Sequence, residues 1–385
     1  MIKITDKSLC CGCTACQSAC PQDAIIMSCD HLGFLYPSVD HDKCVDCGLC
    51  DQVCDFSKHT SSVPDHECQV VVRAAKHIDP DVLSRSQSGG AFTALTDVFL
   101  GEGGIIYGAV FNDDFSVSHV RTDCAQGRDA MRGSKYVQSD MTGVFQQVLM
   151  DLKEGRSVLF SGTPCQVAGL KSYIPDNLQE NLLSVDIICH GTPSPAIWKD
   201  YLMYRTRRSG CKSVNFRDKG LHGWKAHFES FTDDKDQKKY YKTFSTLFYT
   251  ELMHRDSCYR CPYNIFDRCS DITISDFWGV GQVVPEFDGP QGTSMIFVRT
   301  VKGESYIDKA QQFMRSAECV LDAAFLRKFN PNVLAPTACP TERSAFVDAY
   351  ARKGISYIVR RWGDVGFRYS VKSFISKVKR KLGIR

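Results

Sequence analysis

The chain has 385 residues, of which 43% are hydrophobic and 24% charged, and a net charge of +3. Length and composition exclude a disordered chain, a fibrous repeat and a small stapled scaffold, because a core of ordinary size can be buried. Twenty cysteines are the departure; "MIKITDKSLCCGCTAC" has no apolar signal core and the chain no membrane-length apolar run, so they read as thiolate ligands in a reducing cytoplasm, not as secreted disulfides.

Two runs come first. "CCGCTACQSACP" from Cys10 recurs as "CVDCGLCDQVCD" from Cys44, both C-x-x-C-x-x-C-x-x-x-C. Three cysteines at this spacing wrap one face of a cubane cluster, and in two-cluster proteins the fourth cysteine of each run ligates the other cluster. Cys10, Cys13, Cys16 and Cys54 are therefore expected to hold one 4Fe-4S cluster, and Cys44, Cys47, Cys50 and Cys20 a second. Zinc has no use for the third and fourth members of each run. Cys11 and Cys29 fall outside the spacing, and Asp55 stands where proline is usual, at a position that shapes a turn and does not ligate. Between the runs, "AIIM" and "GFLYPSVD" predict two short strands around a turn. The expectation is an α+β ferredoxin-like two-cluster domain over residues 1–57, then a linker over 58–68, which is polar, aperiodic and contains Pro64.

From Cys68 the texture changes. "CQVVVRAA", "GGIIYGAVF", "SVLFSGT" and "LLSVDIICHG" read as strands; 90–100, 141–153 and 195–208 read as helices. This alternation predicts an α/β catalytic domain over residues 69–340. The glycine-rich "SQSGGAFTAL" from Ser86 precedes a helix whose N–H groups can cradle a phosphate, but it is not G-x-G-x-x-G, and an ordinary glycine turn accounts for it equally well. Cys165 in "SGTPCQVAGL" and Cys189 in "IICHGTPS" lie just beyond apolar strands, at the sheet edge where α/β proteins bind ligands. Further on, Cys258 and Cys261 in "CYRC" form a pair that needs two more soft ligands. We take Cys165, Cys189, Cys258 and Cys261 as the ligands of a third cluster with Cys269 in reserve; a zinc or redox dithiol at Cys258 and Cys261, with the other thiols merely buried, is the competing reading. His190 beside Cys189 reads either as an acid or base or as a turn residue. In "FRDKGLHGW", Arg217, Lys219, His222 and Trp224 either orient an anionic substrate or close a structural loop, and no residue is singled out as catalytic. Residues 212–301 read as a strand-rich second layer, with "SMIFVRT" as a late strand.

The chain ends in charge. From Ala351 to Arg385 eleven Lys and Arg face one Asp, with apolar residues at helical spacing, so 341–385 predicts a basic amphipathic helical tail. Such a tail is either a solvated helix capping the domain or a frayed end, or else a peripheral contact with a membrane surface or an acidic partner. No nucleic-acid reader motif accompanies it.

In order behind the two cysteine runs, "SGGAFTAL", "GSKYVQS", "SGTPCQVAGL", "CHGTPSP", "FRDKGLHGW", "SCYRCPY" and "SDITISDFWG" resemble the coenzyme F420 hydrogenase/dehydrogenase beta subunit family across residues 1–300. The resemblance implies FAD beside a 4Fe-4S cluster. Ser88, Gly89 and Gly90 would then meet the FAD phosphates, Lys135, Tyr136 and Ser139 would line the flavin, and Cys165, Cys189, Cys258 and Cys261 match the family's cluster positions. It implies an iron-sulfur flavoprotein oxidoreductase that passes electrons from a ferredoxin or similar low-potential donor through three 4Fe-4S clusters to FAD and on to an organic acceptor. The competing expectation is an electron-transfer subunit that feeds a partner enzyme and has no substrate of its own. The resemblance does not identify the acceptor, because shared descent of a fold does not fix its chemistry.

Overall fold

In the computed structural model, residues 1–56, 58, 69–206 and 210–365 are described. The cysteine repeat is also a structural repeat. Two one-turn helices, α1 (Ala15–Ser18) and α2 (Leu49–Gln52), flank an antiparallel hairpin of β1 (Ile25–Cys29) and β2 (Leu35–Val39). The residue after the second cysteine of each run, Thr14 (φ 69°) or Gly48 (φ 76°), is left-handed and starts the helix. The buried interior here is made largely of thiols: Cys16 and Cys50 pack with Ile2 and Ile25, and Cys20 and Cys54 lie against them. So few aliphatic groups make a poor core for a segment of this size. It leans on the rest of the chain instead. Leu32 O accepts hydrogen bonds from Ala196 N (3.1 Å) and Ser194 Oγ (2.6 Å). A side chain on Gly33 (φ 79°) would stand 2.9 Å from Ala196 N.

The remaining chain builds an eight-stranded mixed sheet in the order β13-β3-β12-β11-β7-β6-β4-β5. Its strands are β3 (Val70–His77), β4 (Ile105–Phe111), β5 (Val117–Thr122), β6 (Val158–Gly162), β7 (Leu182–Ile187), β11 (Ile272–Asp276), β12 (Ser294–Val298) and β13 (Met314–Leu321). A separate three-stranded sheet holds β8 (Ser213–Asn215), β9 (Glu229–Thr232) and β10 (Lys238–Tyr241). The helices are α3 (Pro80–Arg85), α4 (Ala91–Gly101), α5 (Ala125–Met131), α6 (Val144–Lys153), α7 (Pro164–Tyr173), α8 (Pro195–Thr206), α9 (Thr243–Phe248), α10 (Val301–Ala310), α11 (Ala323–Phe329) and α12 (Arg343–Arg361).

β4, β6, β7 and β11 run parallel in the middle of the large sheet. Their apolar residues do not alternate with polar ones because both faces are covered. Leu95 and Phe99 of α4 and Ile307 of α10 pack on Leu159, Leu183 and Ile296. On the other face Phe145 and Val148 of α6 and Val167 and Leu170 of α7 pack on Val158, Phe160 and Leu182. The α/β expectation thus meets a mixed α/β fold. Two details differ. The helix expected over 141–153 begins at Val144, because Gly143 (φ 76°) is its left-handed N-cap. The strand-rich stretch 212–301 is split, since β8 to β10 form their own sheet while β11 and β12 enter the centre of the large one.

The first half of the expected basic tail is a core element. α12 changes direction at Gly354 (φ 66°) and buries Phe346, Ala349, Ile355, Ile358 and Val359 against Trp198, Tyr201 and Phe244. Residues 366–385, which carry seven of the eleven basic side chains counted from Ala351, lie outside the described residues, as does most of the expected linker. Among the described residues no helix is long and apolar enough to cross a membrane.

Candidate functional site

The parallel strands end on one side of the sheet, and a cavity of about 780 Å³ opens there. Gly162, Ile187 and Asp276, the last residues of β6, β7 and β11, are on its wall. This is the carboxyl edge where open α/β sheets bind ligands, and the volume suits a large organic one. The first turn of α4, Ala91 to Thr93, also lines it. That turn starts on Gly90 (φ 82°), which has no side chain to cap it.

The residues expected at a flavin fall into two groups. Ser88, Gly90, Lys135, Tyr136 and Ser139 are on the cavity wall. Gly89 is behind it, wedged between strands: a side chain there would meet Ala75 O at 2.0 Å and Ser294 N at 2.4 Å, and Gly89 O accepts from His77 N at 2.7 Å. Ser88 Oγ is committed to Thr293 O at 2.6 Å. Lys135 Nζ donates to Ala130 O (2.9 Å) and Arg132 O (3.0 Å), and burial pushes its ammonium down to about 7. Tyr136 stacks on Phe248 at 4.5 Å, and Ser139 Oγ accepts from Gln166 Nε2 at 2.8 Å.

Gln87 Nε2, His119 Nδ1, Arg217 Nε and Asn330 Nδ2, all on the wall, are buried and have no hydrogen-bond partner among the described residues. Arg217 is singled out in "FRDKGLHGW" and Gln87 lies within "SQSGGAFTAL", whereas no motif marks His119 or Asn330. His119 Nε2 sits 3.0 Å from Ser161 O, a pure acceptor, so the proton is on Nε2 and Nδ1 is left to accept. Burial pushes this imidazole down to about 4, which keeps it neutral. Among the described residues six basic side chains, Arg132, Lys135, Arg217, Lys225, Lys242 and Lys328, line the cavity against one carboxylate, Asp276, so the wall favours anions. Arg217 is ion-paired with Asp276. Its sequence neighbours are structural: Lys219 Nζ ties Leu83 O to Gln291 O (2.8 Å each), His222 packs on Phe228 at 4.0 Å, and Trp224 stacks on Trp278 at 4.3 Å.

Cys165, at the second residue of α7, and Cys189, just past β7, are also on the wall. Cys258 and Cys261 come from a short turn, Asp256–Arg260, and its cap. The structure brings these four together: Cys261 is within electrostatic range of Cys165, Cys258 and Cys189, and Cys189 of Cys258 and Cys165. Backbone N–H groups already point at two of the sulfurs, Thr192 N to Cys258 Sγ (3.2 Å) and Gly191 N to Cys189 Sγ (3.4 Å). Burial pushes the Cys189 thiol up to about 12 and that of Cys258 up to about 11. Cys269 instead sits among Lys171, Asp186 and Asp55.

The earlier cysteines form two further groups. Cys10 and Cys16 are each within electrostatic range of Cys13 and Cys54, and Cys16 of Cys10. Cys20, Cys44, Cys47 and Cys50 share the wall of a small pocket of about 20 Å³. Ile2 N and Ala24 N donate to Cys50 Sγ and Cys20 Sγ, at 3.3 Å each. Among the described residues no three His, Cys, Asp or Glu side chains converge closely enough to hold a single metal ion. Cys11, which the spacing left out, is buried and packs against both Cys13 and Cys165. It therefore links the first group to the one on the cavity wall.

Residues 155–318 match the family described as the C terminus of the coenzyme F420 hydrogenase/dehydrogenase beta subunit. That span holds Cys165, Cys189, Cys258 and Cys261. Among solved structures, the chain is similar to one from a study of xenon derivatization of the F420-reducing NiFe hydrogenase complex of Methanosarcina barkeri, at 19% identity and a TM-score of 0.48, covering 74% of this chain and 94% of that one. No curated protein matches the chain.

Proposed function

With residues 155–318 belonging to the coenzyme F420 hydrogenase/dehydrogenase beta subunit family, we propose that this protein is an iron-sulfur flavoprotein oxidoreductase. It takes single electrons from a ferredoxin or similar low-potential donor and delivers them to an organic acceptor bound in the cavity. One observation carries the reading: Cys165 and Cys189 stand on the cavity wall, and Cys11 joins Cys165 to Cys13 of the N-terminal cysteines. A ferredoxin-like segment, with Cys20, Cys44, Cys47 and Cys50 at one cluster and Cys10, Cys13, Cys16 and Cys54 at the other, would thus lead inward to a third cluster held by Cys165, Cys189, Cys258 and Cys261. Four thiols in each set, two of the sets drawn from C-x-x-C-x-x-C-x-x-x-C runs, suit the corners of a cubane better than zinc. The N–H groups of Ile2, Ala24, Gly191 and Thr192 supply the sulfur hydrogen bonds that tune such clusters.

The cavity residues fit FAD. The uncapped first turn of α4, with Arg132 and Lys135 on the same wall, suits a diphosphate. Ser88 and Gly89 act by shaping that turn, because the Ser88 hydroxyl and the space beside Gly89 are already taken. Gln87, Arg217 and Asn330 offer N–H donors that the described residues leave unused, and His119 offers an acceptor. Tyr136 and Phe248 give an aromatic surface that keeps water from one side. A bound flavin supplies the conversion between one-electron and two-electron transfer.

Anaerobic quantification of iron, sulfide and flavin tests this. Three cubanes give about twelve irons per chain, and Cys258→Ser should leave about eight, with the N-terminal pair intact. Colourless wild-type protein, or iron unaffected by Cys258→Ser, would overturn the reading. Steady-state reduction of an organic acceptor with reduced ferredoxin as donor separates an enzyme from a subunit that only feeds a partner.

A further inference from the structure

Arg255 stands where the N-terminal cysteines meet the cavity-side set. It is 1% exposed, three residues before Cys258. Its backbone belongs to the cavity side: Arg255 N donates to Thr192 O (3.0 Å), and Arg255 O accepts from Cys258 N (2.9 Å). Its guanidinium reaches the other way. Nε donates to Cys10 O (2.7 Å), Nη2 to Leu35 O (2.8 Å) and Nη1 to Gln138 Oε1 (2.9 Å), and Nη2 lies 3.6 Å from Cys10 Sγ. The group lies over Tyr36 at 4.0 Å. Gly12 is a glycine here for room, since a side chain would come within 2.9 Å of Nη1.

None of these polar partners is a carboxylate. A buried guanidinium satisfied only by carbonyl, amide and sulfur atoms is an uncompensated charge, which proteins ordinarily avoid. An iron-sulfur cluster with four thiolates is an anion, and reduction adds one more negative charge. Resting on the function proposed above, we propose that Arg255 is the counter-charge of the cluster held by Cys10, Cys13, Cys16 and Cys54, and that it sets that cluster's potential by favouring the reduced form. In each transfer this cluster gains one electron from the outer cluster, or from dithionite in a test. It then loses one to the cluster at Cys165, Cys189, Cys258 and Cys261, with no bond made or broken.

The test is an EPR-monitored redox titration of the full-length holoprotein as wild type, Arg255→Gln, Arg255→Lys and Gln138→Glu. Gln138→Glu is the informative variant, because it gives up the Gln138 Nε2 hydrogen bond to Cys11 O (2.9 Å) but sets a carboxylate of nearly the same shape on Nη1, offsetting the charge while retaining the arginine. Arg255→Gln and Gln138→Glu should each disfavour the reduced inner cluster about tenfold, a fall of about 59 mV for one electron. Arg255→Lys, which keeps the charge, should stay near the wild type. Full iron with an unshifted potential in Gln138→Glu overturns the proposal, as does loss of the cluster in all three variants, which would make Arg255 a structural clamp alone. Wild-type protein that binds no iron would overturn the functional reading instead, and is told apart by iron content.

Discussion

Lys135 gives the cavity a pH dependence with a definite sign. Burial holds its ammonium near 7 in the flavin-free protein, against 10.5 for an ordinary lysine. The unfolded chain therefore binds this proton more tightly, and the flavin-free fold gains stability as pH rises from about 7 toward 10.5. Under the proposed function, binding of anionic FAD would run the other way, because it favours the ammonium and draws in a proton. Fluorescence titrations should show FAD affinity level below about pH 7 and falling by up to about tenfold per pH unit above it, with Lys135→Gln flat across the range. Gly89 makes a different test. Gly89→Ala drives a methyl to 2.0 Å from Ala75 O, and such overpacking costs about 1–3 kcal/mol or more. Chemical denaturation of flavin-free protein will show this loss if the glycine serves packing; a residue needed only for phosphate would leave that measurement unchanged. The two glycines are alike in sequence, and only the path of β3 and β12 separates Gly90 on the wall from Gly89 behind it. The place of Cys165 and Cys189 on the cavity wall was legible because each follows an apolar strand that ends at that edge of the sheet. Cys11 was not, since spacing reports neighbours along the chain and Cys11 acts on a residue more than 150 positions away.

Elements announced themselves in proportion to their burial. β6 and β7 read as strands because Val158, Leu159, Phe160, Leu182 and Leu183 are enclosed on both faces. β5 and β13 lie at the two edges of the sheet and mix charged residues such as Arg121, Arg315 and Glu318 with apolar ones, so no pattern marked them. α12 misled in the opposite direction. Its lysines and arginines suggested a solvated helix, but Phe346, Ala349, Ile355, Ile358 and Val359 form a buried stripe that the kink at Gly354 keeps aligned with the aromatic core. Phe346 is wholly buried and meets Trp362 edge-on at 5.1 Å. Phe346→Ala should cost about 3–5 kcal/mol in equilibrium unfolding, whereas a helix merely resting on the surface would lose little.

At the scale of the molecule, three groups of thiols are arranged from outside to inside. Cys47, in the group nearest solvent, is exposed, while Cys11 is buried at the junction with Cys165. If the outer group is the entry point, Cys47→Ser should slow flavin reduction by a protein donor while dithionite still reduces the flavin, as stopped-flow absorbance would show. The N-terminal segment is stitched to the rest through Gly33, Arg255 and Gly169, where a side chain on Gly169 would stand 2.7 Å from Cys13 Sγ. The repeat itself was readable in the sequence, but this docking was not, because it depends on small residues far along the chain. The sheet carries a related consequence for biosynthesis. Among the described strands β3 pairs with β12 and β13, so Ala75 waits for Ser294 and Val70 for Leu321. As the chain leaves the ribosome, most of the protein is made before this strand finds a partner, and an unpaired apolar strand is prone to aggregate over that interval. Yield in a heterologous host should therefore respond to chaperone supply and growth temperature even when iron and sulfide are plentiful.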